Sequence, residues 1–307
     1  MLNENQPIER NEKFDRVVYA IVSEILRVMT LRNKVWARKL IGNLLKKPIR
    51  QMAEIVVSFD EEIAVRGWSA TMKDYLEDFV SDYRVKGFEN VPKTGPLLIA
   101  CNHPGSYDMP IISTVMGRDD VKFIASDISI ILELPNILDH FIFMSRDAHH
   151  SMLTVRTAIR HLQAGGAVLI YPRGDVEPDQ DVTPGGRPDF ERWSPSSEVL
   201  LRKVPQTRTL MVFTKGVLAP HWFKSPWIRI WKKPAQRQKI AEIFQVSQQL
   251  TGKKGFSLTP SVFFSQLLTI DDLGSVDAPS GDLLKAMIRE MRVLIDAPLE
   301  DRIEQTV

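Results

Sequence analysis

Residues 96–108, Pro-Leu-Leu-Ile-Ala-Cys-Asn-His-Pro-Gly-Ser-Tyr-Asp, carry the most information about the fold of this chain. An apolar run long enough for a buried strand comes first, and the Pro-Gly pair predicts a turn directly after it. A histidine and an aspartate, His103 and Asp108, lie five positions apart across this turn. If a helix begins near Asp108, the carboxylate can fold back to the imidazole. The stretch therefore predicts a polar site at the carboxyl end of a strand, where ligands bind in α/β sheets.

Further apolar or alternating runs that predict strands lie on both sides of this stretch. They span residues 83–88, 121–125, 141–144, 167–171, 209–217 and 256–269. Helical patterns lie between and after them, at residues 109–116, 151–164, 235–250 and 281–295. Strands that alternate with helices predict an α/β fold, a single domain with a central mixed, largely parallel sheet flanked by helices.

The chain before this domain has a different texture. Residues 13–80 show helical patterns throughout, with interruptions expected near Pro48 and Gly67 because both are poor residues in a helix interior. We therefore expect three parts: an N-terminal helical region over residues 1–82, the α/β domain over 83–270, and a C-terminal helix and tail over 271–307.

Composition limits the classes of function and the partners that this chain can have. The chain has 307 residues, 44% hydrophobic and 25% charged, which suits a globular protein with a sizeable core. A formal net charge of +2 argues against nucleic acid as a partner. Cys101, the single cysteine, cannot form an intramolecular disulfide, so a reducing cytoplasm is the expected setting. We expect no signal peptide and no transmembrane helix, so that contact with a membrane would be peripheral.

Two segments are candidates for such contact. Between residues 16 and 50 there are nine basic residues and one acidic residue, with apolar residues at helical spacing. This segment is either a helix packed on the core with a solvated basic face or a helix on anionic lipid headgroups. Residues 221–233 hold three of the six tryptophans among basic residues, which indicates either interfacial docking or a half-buried strand. The role of residues 13–80 as a docking element or a lid over an acyl groove is open.

A His–Asp pair has a specific chemical use. The carboxylate fixes the tautomer of the imidazole and stabilises the imidazolium that forms when the ring takes a proton. His103 is thus a candidate general base oriented by Asp108; a histidine that caps a turn is the simpler alternative. We expect no metal, because spacing places no third ligand. Cys101 is expected to be an inert strand residue rather than a nucleophile.

Residues 83–220 resemble the glycerophospholipid acyltransferase family, which includes the 1-acylglycerol-3-phosphate acyltransferases. The family signature of Asn-His, four residues and Asp matches Asn102, His103 and Asp108, and its preceding V-x-G-x-E-N-x-P stretch matches residues 85–92. A serine frequent in the family two positions after the histidine is Gly105 here. The resemblance implies an enzyme that transfers a fatty acyl group from a thioester to an acceptor hydroxyl, with His103 and Asp108 catalytic and Asn102 near the substrate.

Two further family blocks imply acceptor-binding residues. Arg146, after the strand at 141–144, matches an arginine that binds the acceptor phosphate. The block Phe-Pro-Glu-Gly-Thr-Arg is Tyr-Pro-Arg-Gly-Asp-Val here, so that Arg173 replaces the glutamate and Gly174 is kept. Arg173 either binds a phosphate directly, with Glu177 or Asp175 supplying the missing carboxylate, or pairs with those neighbours. Gly174 would let backbone N–H groups approach an oxyanion.

The resemblance also implies the partners. Acyl-CoA or acyl carrier protein would be the donor substrate, with no bound cofactor, and a lysophospholipid or glycerol-phosphate-like molecule would be the acceptor. The expected location is the inner face of a membrane, on the cytoplasmic side. Two alternatives are open: a non-catalytic lipid-binding or acyl-carrier-binding protein on the same scaffold, and an acyl-thioester hydrolase.

Overall fold

The computed structural model of the chain describes residues 6–80, 82–126, 128–144, 148–183, 185–252 and 258–296. The helices are α1 (Gln6–Val28), α2 (Val35–Leu44), α3 (Lys46–Arg66), α4 (Trp68–Glu77), α5 (Asp108–Met116), α6 (Pro135–Leu138), α7 (Ala148–Gln163), α8 (Ser196–Lys203), α9 (Pro220–Phe223), α10 (Pro234–Leu250), α11 (Ile270–Leu273) and α12 (Asp282–Asp296). The strands are β1 (Arg84–Lys86), β2 (Leu97–Cys101), β3 (Val121–Ser126), β4 (Phe141–Met144), β5 (Ala167–Ile170), β6 (Arg208–Lys215) and β7 (Ser261–Phe264).

These strands form one sheet in the order β1-β7-β6-β2-β5-β3-β4. The five strands from β6 to β4 run parallel, and β7 joins β6 in the antiparallel direction while pairing with β1 in parallel. The predicted fold class, a mixed and largely parallel sheet flanked by helices and preceded by a helical region, is confirmed.

Apolar side chains alternate between the two faces of the sheet, because successive residues of a strand point in opposite directions. On β2, Leu97, Ile99 and Cys101 pack in the core beneath the N-terminal helices, and Leu98 and Ala100 pack in the second core beneath α7, α8 and α12. Every residue of β2 is buried. The continuous apolar run at the start of residues 96–108 is therefore the mark of a strand covered on both faces.

The loop between β1 and β2 explains two residues of the V-x-G-x-E-N-x-P stretch. Gly87 has φ +77°, and a Cβ there would lie 2.3 Å from the backbone oxygen of Phe264. Only glycine fits such a close approach in this conformation. Asn90 donates from its side-chain amide to the backbone oxygen of Ser265 at 3.0 Å. Both residues thus attach this loop to the end of β7.

The N-terminal helices break close to the expected places. Gly67, with φ +84°, separates α3 from α4, and Pro48 lies in the first turn of α3, where its missing N–H is tolerated. The break between α2 and α3 falls at Leu45, just before that turn. In the described ranges, no helix combines the length and apolar character that crossing a membrane requires. The division into parts at residues 82 and 270 stays a prediction.

The tryptophan-rich segment is not a strand. Residues 228–230 form a 3₁₀ turn, so the half-buried strand is wrong as an interpretation of its alternation. Trp227 and Ile230 are 78% and 69% exposed, whereas Ile228 between them is buried. Trp222 packs inward and stacks on Phe244. Among the described residues of this segment, Trp227 and Ile230 are therefore the large apolar side chains exposed to solvent.

Asp60 connects three helices from a fully buried position on α3. Its carboxylate accepts from the Lys13 ammonium at 2.6 Å and from the backbone N–H groups of Asn136 and Ile137 at 2.8 and 2.9 Å. The contacts tie α1 and α6 to α3. A buried carboxylate with a charged partner is costly to disrupt from one side, because the other partners lose their bonds without regaining water.

We therefore expect Asp60→Ala to lower the free energy of unfolding by about 3 kcal/mol, measured by urea denaturation. Glu54→Ala is the control, since Glu54 lies on the same helix but pairs with Arg10 at an exposed position. This control should change the free energy of unfolding by no more than about 0.5 kcal/mol. Equal losses in both variants would contradict the role given to Asp60.

Candidate active site

The carboxyl ends of β2 and β5 lie side by side, because the two strands pair in parallel from Leu97 with Ala167 to Ala100 with Ile170. The residues that follow them, Asn102-His103 and Tyr171, consequently meet at one edge of the sheet. This is the edge at which α/β sheets place their ligands.

His103 and Asp108 are in direct contact. His103 Nδ1 and Asp108 Oδ2 lie 2.8 Å apart, with Asp108 as the first residue of α5. The Asp108 side chain has no exposed surface, while 28% of the His103 side chain is exposed. Nδ1 is thus bonded to the protein. No described residue bonds to Nε2, so Nε2 is the ring nitrogen that can contact a substrate. The turn after β2 brings together the two residues that the sequence singled out.

Tyr171 completes this pair and was missed in the sequence. Its hydroxyl donates to Asp108 Oδ1 at 2.8 Å, and its ring stacks on His103 with centroids 4.2 Å apart. The Met109 N–H also donates to Oδ1, at 2.6 Å. Because both oxygens of Asp108 have donors, the carboxylate is fixed in place although it is buried. The family block has phenylalanine where this chain has Tyr171. The additional hydroxyl was the sequence signal for this hydrogen bond.

Two opposing effects act on the pKa of His103. Burial lowers this pKa, and the nearby Asp108 carboxylate raises it through its charge and its hydrogen bond. The carboxylate outweighs burial, so that the pKa of His103 lies above its ordinary value of 6.5. Glu242 adds to the increase and Lys239 opposes it. A histidine whose proton affinity is raised by a buried carboxylate is suited to accept a proton.

Asn102 has a structural task, and its expected place near the substrate stays a prediction. Its side chain is fully buried, donates to the backbone oxygen of Thr214 at 2.8 Å and accepts from the backbone N–H of Thr214 at 2.8 Å. The amide therefore extends the pairing of β2 with β6 by one more rung. Asn102 positions the residue that follows it, His103.

Glu177 is also turned inward. It accepts from the backbone N–H of His103 at 3.3 Å, from that of Asp189 at 3.1 Å and from the Trp193 indole at 3.3 Å. Burial raises the pKa of Glu177 to about 7. With these partners, the buried Glu177 holds the backbone of His103. Which of Glu177 and Asp175 supplies a carboxylate to the acceptor stays a prediction.

The turn after β5 carries the remaining candidates. Arg173 Nε lies 3.5 Å from Asp189 Oδ2, and its side chain is largely covered. Asp175 pairs with Lys239 at 2.5 Å. Burial raises the pKa of Asp175. The hydrogen bond from Lys239 and the charges of Lys239 and Arg173 outweigh burial, so the pKa of Asp175 is lowered. Gly174 has φ +69° and donates its N–H to the Tyr171 oxygen at 2.9 Å. The N–H of Gly174 thus closes the turn, and the expected approach of backbone N–H groups to an oxyanion at Gly174 stays a prediction.

Two further expectations concern residues beside the site. Arg146 lies outside the described residues, so its role as a phosphate clamp stays a prediction. Cys101 is fully buried, and burial raises its pKa well above the ordinary value, with the charges of Asp108 and Glu177 adding to the increase. A thiol that resists ionisation is a poor nucleophile, which agrees with its interpretation as an inert strand residue.

Helix α10 supplies polar contacts that were missed in the sequence. Gln238 donates to the backbone oxygens of Pro104 and Glu177, and Glu242 accepts from the backbone N–H of Ser106. Gln245 bonds to the backbone of Val217 and Ala219, and Gln249 to Phe79 and Tyr107. These four residues recur at helical spacing on the face turned to the site, and that polar stripe was the available signal.

Gly105 belongs to the same contact. A Cβ at this position would lie 2.6 Å from Glu242 Oε1, too close for a side chain to be accommodated without movement of the carboxylate. The glycine in place of the serine frequent in the family thus lets α10 approach the turn after His103.

A comparison with known protein families agrees with this geometry. Residues 82–219 match the family model described as Acyltransferase, a little under half of the chain. Residues 82–219 thus match an acyltransferase family model, as the resemblance in the sequence predicted. Helix α10 lies beyond the matched residues.

Among solved structures, the chain is similar to the crystal structure of the 1-acyl-sn-glycerophosphate (LPA) acyltransferase, PlsC, from Thermotoga maritima. The identity is 16% and the TM-score 0.43, over 96% of this chain and 97% of that chain. No curated protein sequence matches the chain significantly.

The Asp108 carboxylate is expected to control the proton affinity of His103. Replacement of Asp108 by asparagine removes the charge that raises the pKa of His103 and leaves the burial that lowers it. We therefore expect the pKa of His103 in Asp108→Asn to fall below 6.5, measured by NMR titration of the imidazole resonances. Asp120→Asn is the control, because Asp120 is an exposed carboxylate that pairs with Arg118. This variant should leave the pKa of His103 unchanged. A pKa of His103 that stays above 6.5 in Asp108→Asn would refute the pairing.

Proposed function

We propose that this protein is an acyltransferase that moves a fatty acyl group from an acyl thioester to a hydroxyl of a lysophospholipid or glycerol-phosphate-like acceptor. The observation that carries the proposal is the contact of His103 Nδ1 with the buried Asp108 carboxylate at 2.8 Å, with Nε2 left open to a substrate. The pair lies within residues that match the acyltransferase family. Acyl-CoA and acyl carrier protein are the two donors that fit this chemistry.

The proposed reaction begins with proton transfer. His103 Nε2 takes the proton of the acceptor hydroxyl while the oxygen forms a bond to the thioester carbonyl carbon. Asp108 stabilises the imidazolium and keeps Nε2 turned toward the acceptor. When the tetrahedral intermediate collapses, the carbon–sulfur bond breaks and the thiol leaves with the proton from His103. No acyl-enzyme is needed.

The turn after β5 supports an acceptor with charged and hydrogen-bonding groups. The Asp175 carboxylate bonds to Lys239, and the charges of Lys239 and Arg173 both lower its pKa. Cations in this place suit the phosphate of an acceptor, since a guanidinium donates to anionic oxygens. Asp175, less buried than Glu177, is the carboxylate that we assign to the acceptor hydroxyls.

A membrane surface is the proposed place of action, on its cytoplasmic side. A lysophospholipid acceptor carries an acyl chain that partitions into a bilayer. Trp227 and Ile230 project from a 3₁₀ turn next to α10, and aromatic and aliphatic side chains of this kind are favoured at the membrane interface.

We expect purified protein to release free thiol from a long-chain acyl-CoA or acyl carrier protein when detergent-dispersed lysophosphatidate or glycerol 3-phosphate is present. His103→Ala should lower this rate by at least about a hundredfold, the usual contribution of a general base. His161→Ala is the matched control, because His161 bonds to the backbone oxygen of Asp120, just before the start of β3, whereas His103 follows the end of β2.

The same assay separates the alternatives. Thiol release that needs no acceptor and is lost in His103→Ala would replace the transferase by a thioester hydrolase. No release from either donor with any acceptor would contradict catalysis and favour a lipid-binding or acyl-carrier-binding protein. Full activity in His103→Ala would exclude His103 as the base.

The rate of acyl transfer should decrease toward low pH. A general base must be unprotonated, and the pKa of His103 is raised above 6.5 by Asp108. We therefore expect kcat/KM to fall as the pH decreases through a midpoint above 6.5. Glu177, with a pKa of about 7, titrates in the same range, so the Glu177→Gln variant assigns the midpoint. A midpoint that disappears in Glu177→Gln would assign the titration to Glu177.

A further inference from the structure

Glu242 is a half-buried carboxylate on α10, beyond the residues that match the acyltransferase family. It accepts from the backbone N–H of Ser106, in the turn after β2. Among the described residues, no basic side chain forms an ion pair with Glu242. Lys239, three residues earlier on the same helix, is bonded to Asp175 at 2.5 Å. A carboxylate that has lost part of its water and has no counter-ion carries a cost in free energy.

The titratable groups that face Glu242 come from several elements. Tyr75 of α4 and Tyr107, just before α5, supply no positive charge; burial raises the pKa of both tyrosines, and the charge of Glu242 adds to these increases. Burial lowers the pKa of His103, and Glu242 raises it, after the larger effect of Asp108. In return, the charge of His103 opposes the increase that burial causes in the pKa of Glu242, to which Asp108 adds. His103 is thus the group beside Glu242 that can become a cation.

Gly105 permits this approach of α10. A Cβ on Gly105 would lie 2.6 Å from Glu242 Oε1, the end of a flexible side chain. A side chain at this position would therefore displace the carboxylate and leave the backbone of the turn in place. Since serine is frequent at this position in the family, Gly105 and Glu242 form a matched pair in this chain.

We propose that Glu242 is a positioning residue for acyl transfer. Its carboxylate holds the turn that joins His103 to Asp108 through the Ser106 N–H, and it becomes a second counter-ion of the imidazolium when His103 takes the proton of the acceptor hydroxyl. Glu242 itself takes no proton. This inference rests on the proposed function and adds to it a residue from outside the matched part of the chain.

The benefit of Glu242 arises in the transition state. Before the reaction His103 is neutral, and the Glu242 carboxylate has no cation beside it. As the proton moves to Nε2, the imidazolium forms and the two charges attract each other. An interaction that is stronger in the transition state than in the ground state raises kcat. Glu242 is bonded to the turn and not to Nε2, so we expect it to have little effect on the binding of the acceptor.

Glu242→Gln separates charge from shape, because the glutamine oxygen can still accept from the Ser106 N–H. In this variant the pKa of His103 should be lower than in the parent chain, measured by NMR titration of the imidazole. The kcat for thiol release should fall roughly three- to tenfold, the effect expected from one nearby charge on a forming cation. The KM for the acceptor should stay within about twofold. The midpoint of kcat/KM should move to lower pH, because it follows the pKa of His103.

Glu62→Gln is the matched control. It removes the same charge from an exposed position on α3, where Glu62 pairs with Arg66. The pKa of His103 and the kcat should be unchanged. Equal effects in Glu62→Gln and Glu242→Gln would attribute the change to net charge and overturn the proposal. A loss of kcat in Glu242→Gln without any change in the pKa of His103 or in the midpoint would also overturn it, because Glu242 would then have a structural role alone.

Gly105→Ser tests the same contact from the other side. The serine should push the carboxylate away, so that this variant also lowers the pKa of His103 and the kcat. In the Glu242→Gln background, the same substitution should have a smaller effect on the pKa of His103, because the charge is already absent. Equal effects of Gly105→Ser in the two backgrounds would contradict the coupling.

Failure of this inference differs from failure of the proposed function. A parent chain that transfers no acyl group to any acceptor would refute the proposed function. An active parent chain, with Glu242→Gln unchanged in kcat and in the pKa of His103, would refute the role of Glu242 alone.

Discussion

The parallel pairing of β2 with β5 and β6 fixes the places of the residues that follow these strands in the candidate active site. His103 and Tyr171 follow two neighbouring strands, so the tyrosine reaches both the imidazole and Asp108. Asn102 adds a side-chain rung to the third strand, β6, and so prevents His103 from turning with a loose strand end. A shift in this register would separate the tyrosine from the carboxylate, because a one-residue slip moves every side chain to the other face.

Helix α10 acts as a brace on this arrangement. Gln238 holds the loops after β2 and β5 through one amide group, and Glu242 holds the backbone of Ser106. Near the start of the same helix, Gln236 donates to the backbone oxygen of Val28, the last residue of α1, at 2.8 Å. One helix thus connects the N-terminal region with the loops of the site. Its contacts are directional hydrogen bonds to backbone groups, so they define position more narrowly than apolar packing would.

The sequence was most informative where periodicity and turns are local. It predicted β4 at 141–144 and the contact of His103 with Asp108, because an apolar run and a Pro-Gly turn are local signals. It was least informative where a polar residue has partners far along the chain. Nothing near Asn102 or Glu177 indicates that their side chains bond to Thr214 and Trp193, and the N–H of Gly174 is used by its own turn. The alternation around Ile228 suggested a strand, but no neighbouring strand edge among the described residues pairs with it.

The pairing of β1 with β7 has a consequence for the order of assembly. Along the chain, β1 precedes the parallel strands and β7 follows them, yet β1 reaches the sheet only through β7. During synthesis the loop with Gly87 and Asn90 has no partner until Phe264 and Ser265 leave the ribosome. Until then, β6 presents an open edge of unpaired backbone groups, the kind of surface that recruits other chains. Among the described strands, β7 is the last to be made, and it is the one that covers this edge of β6.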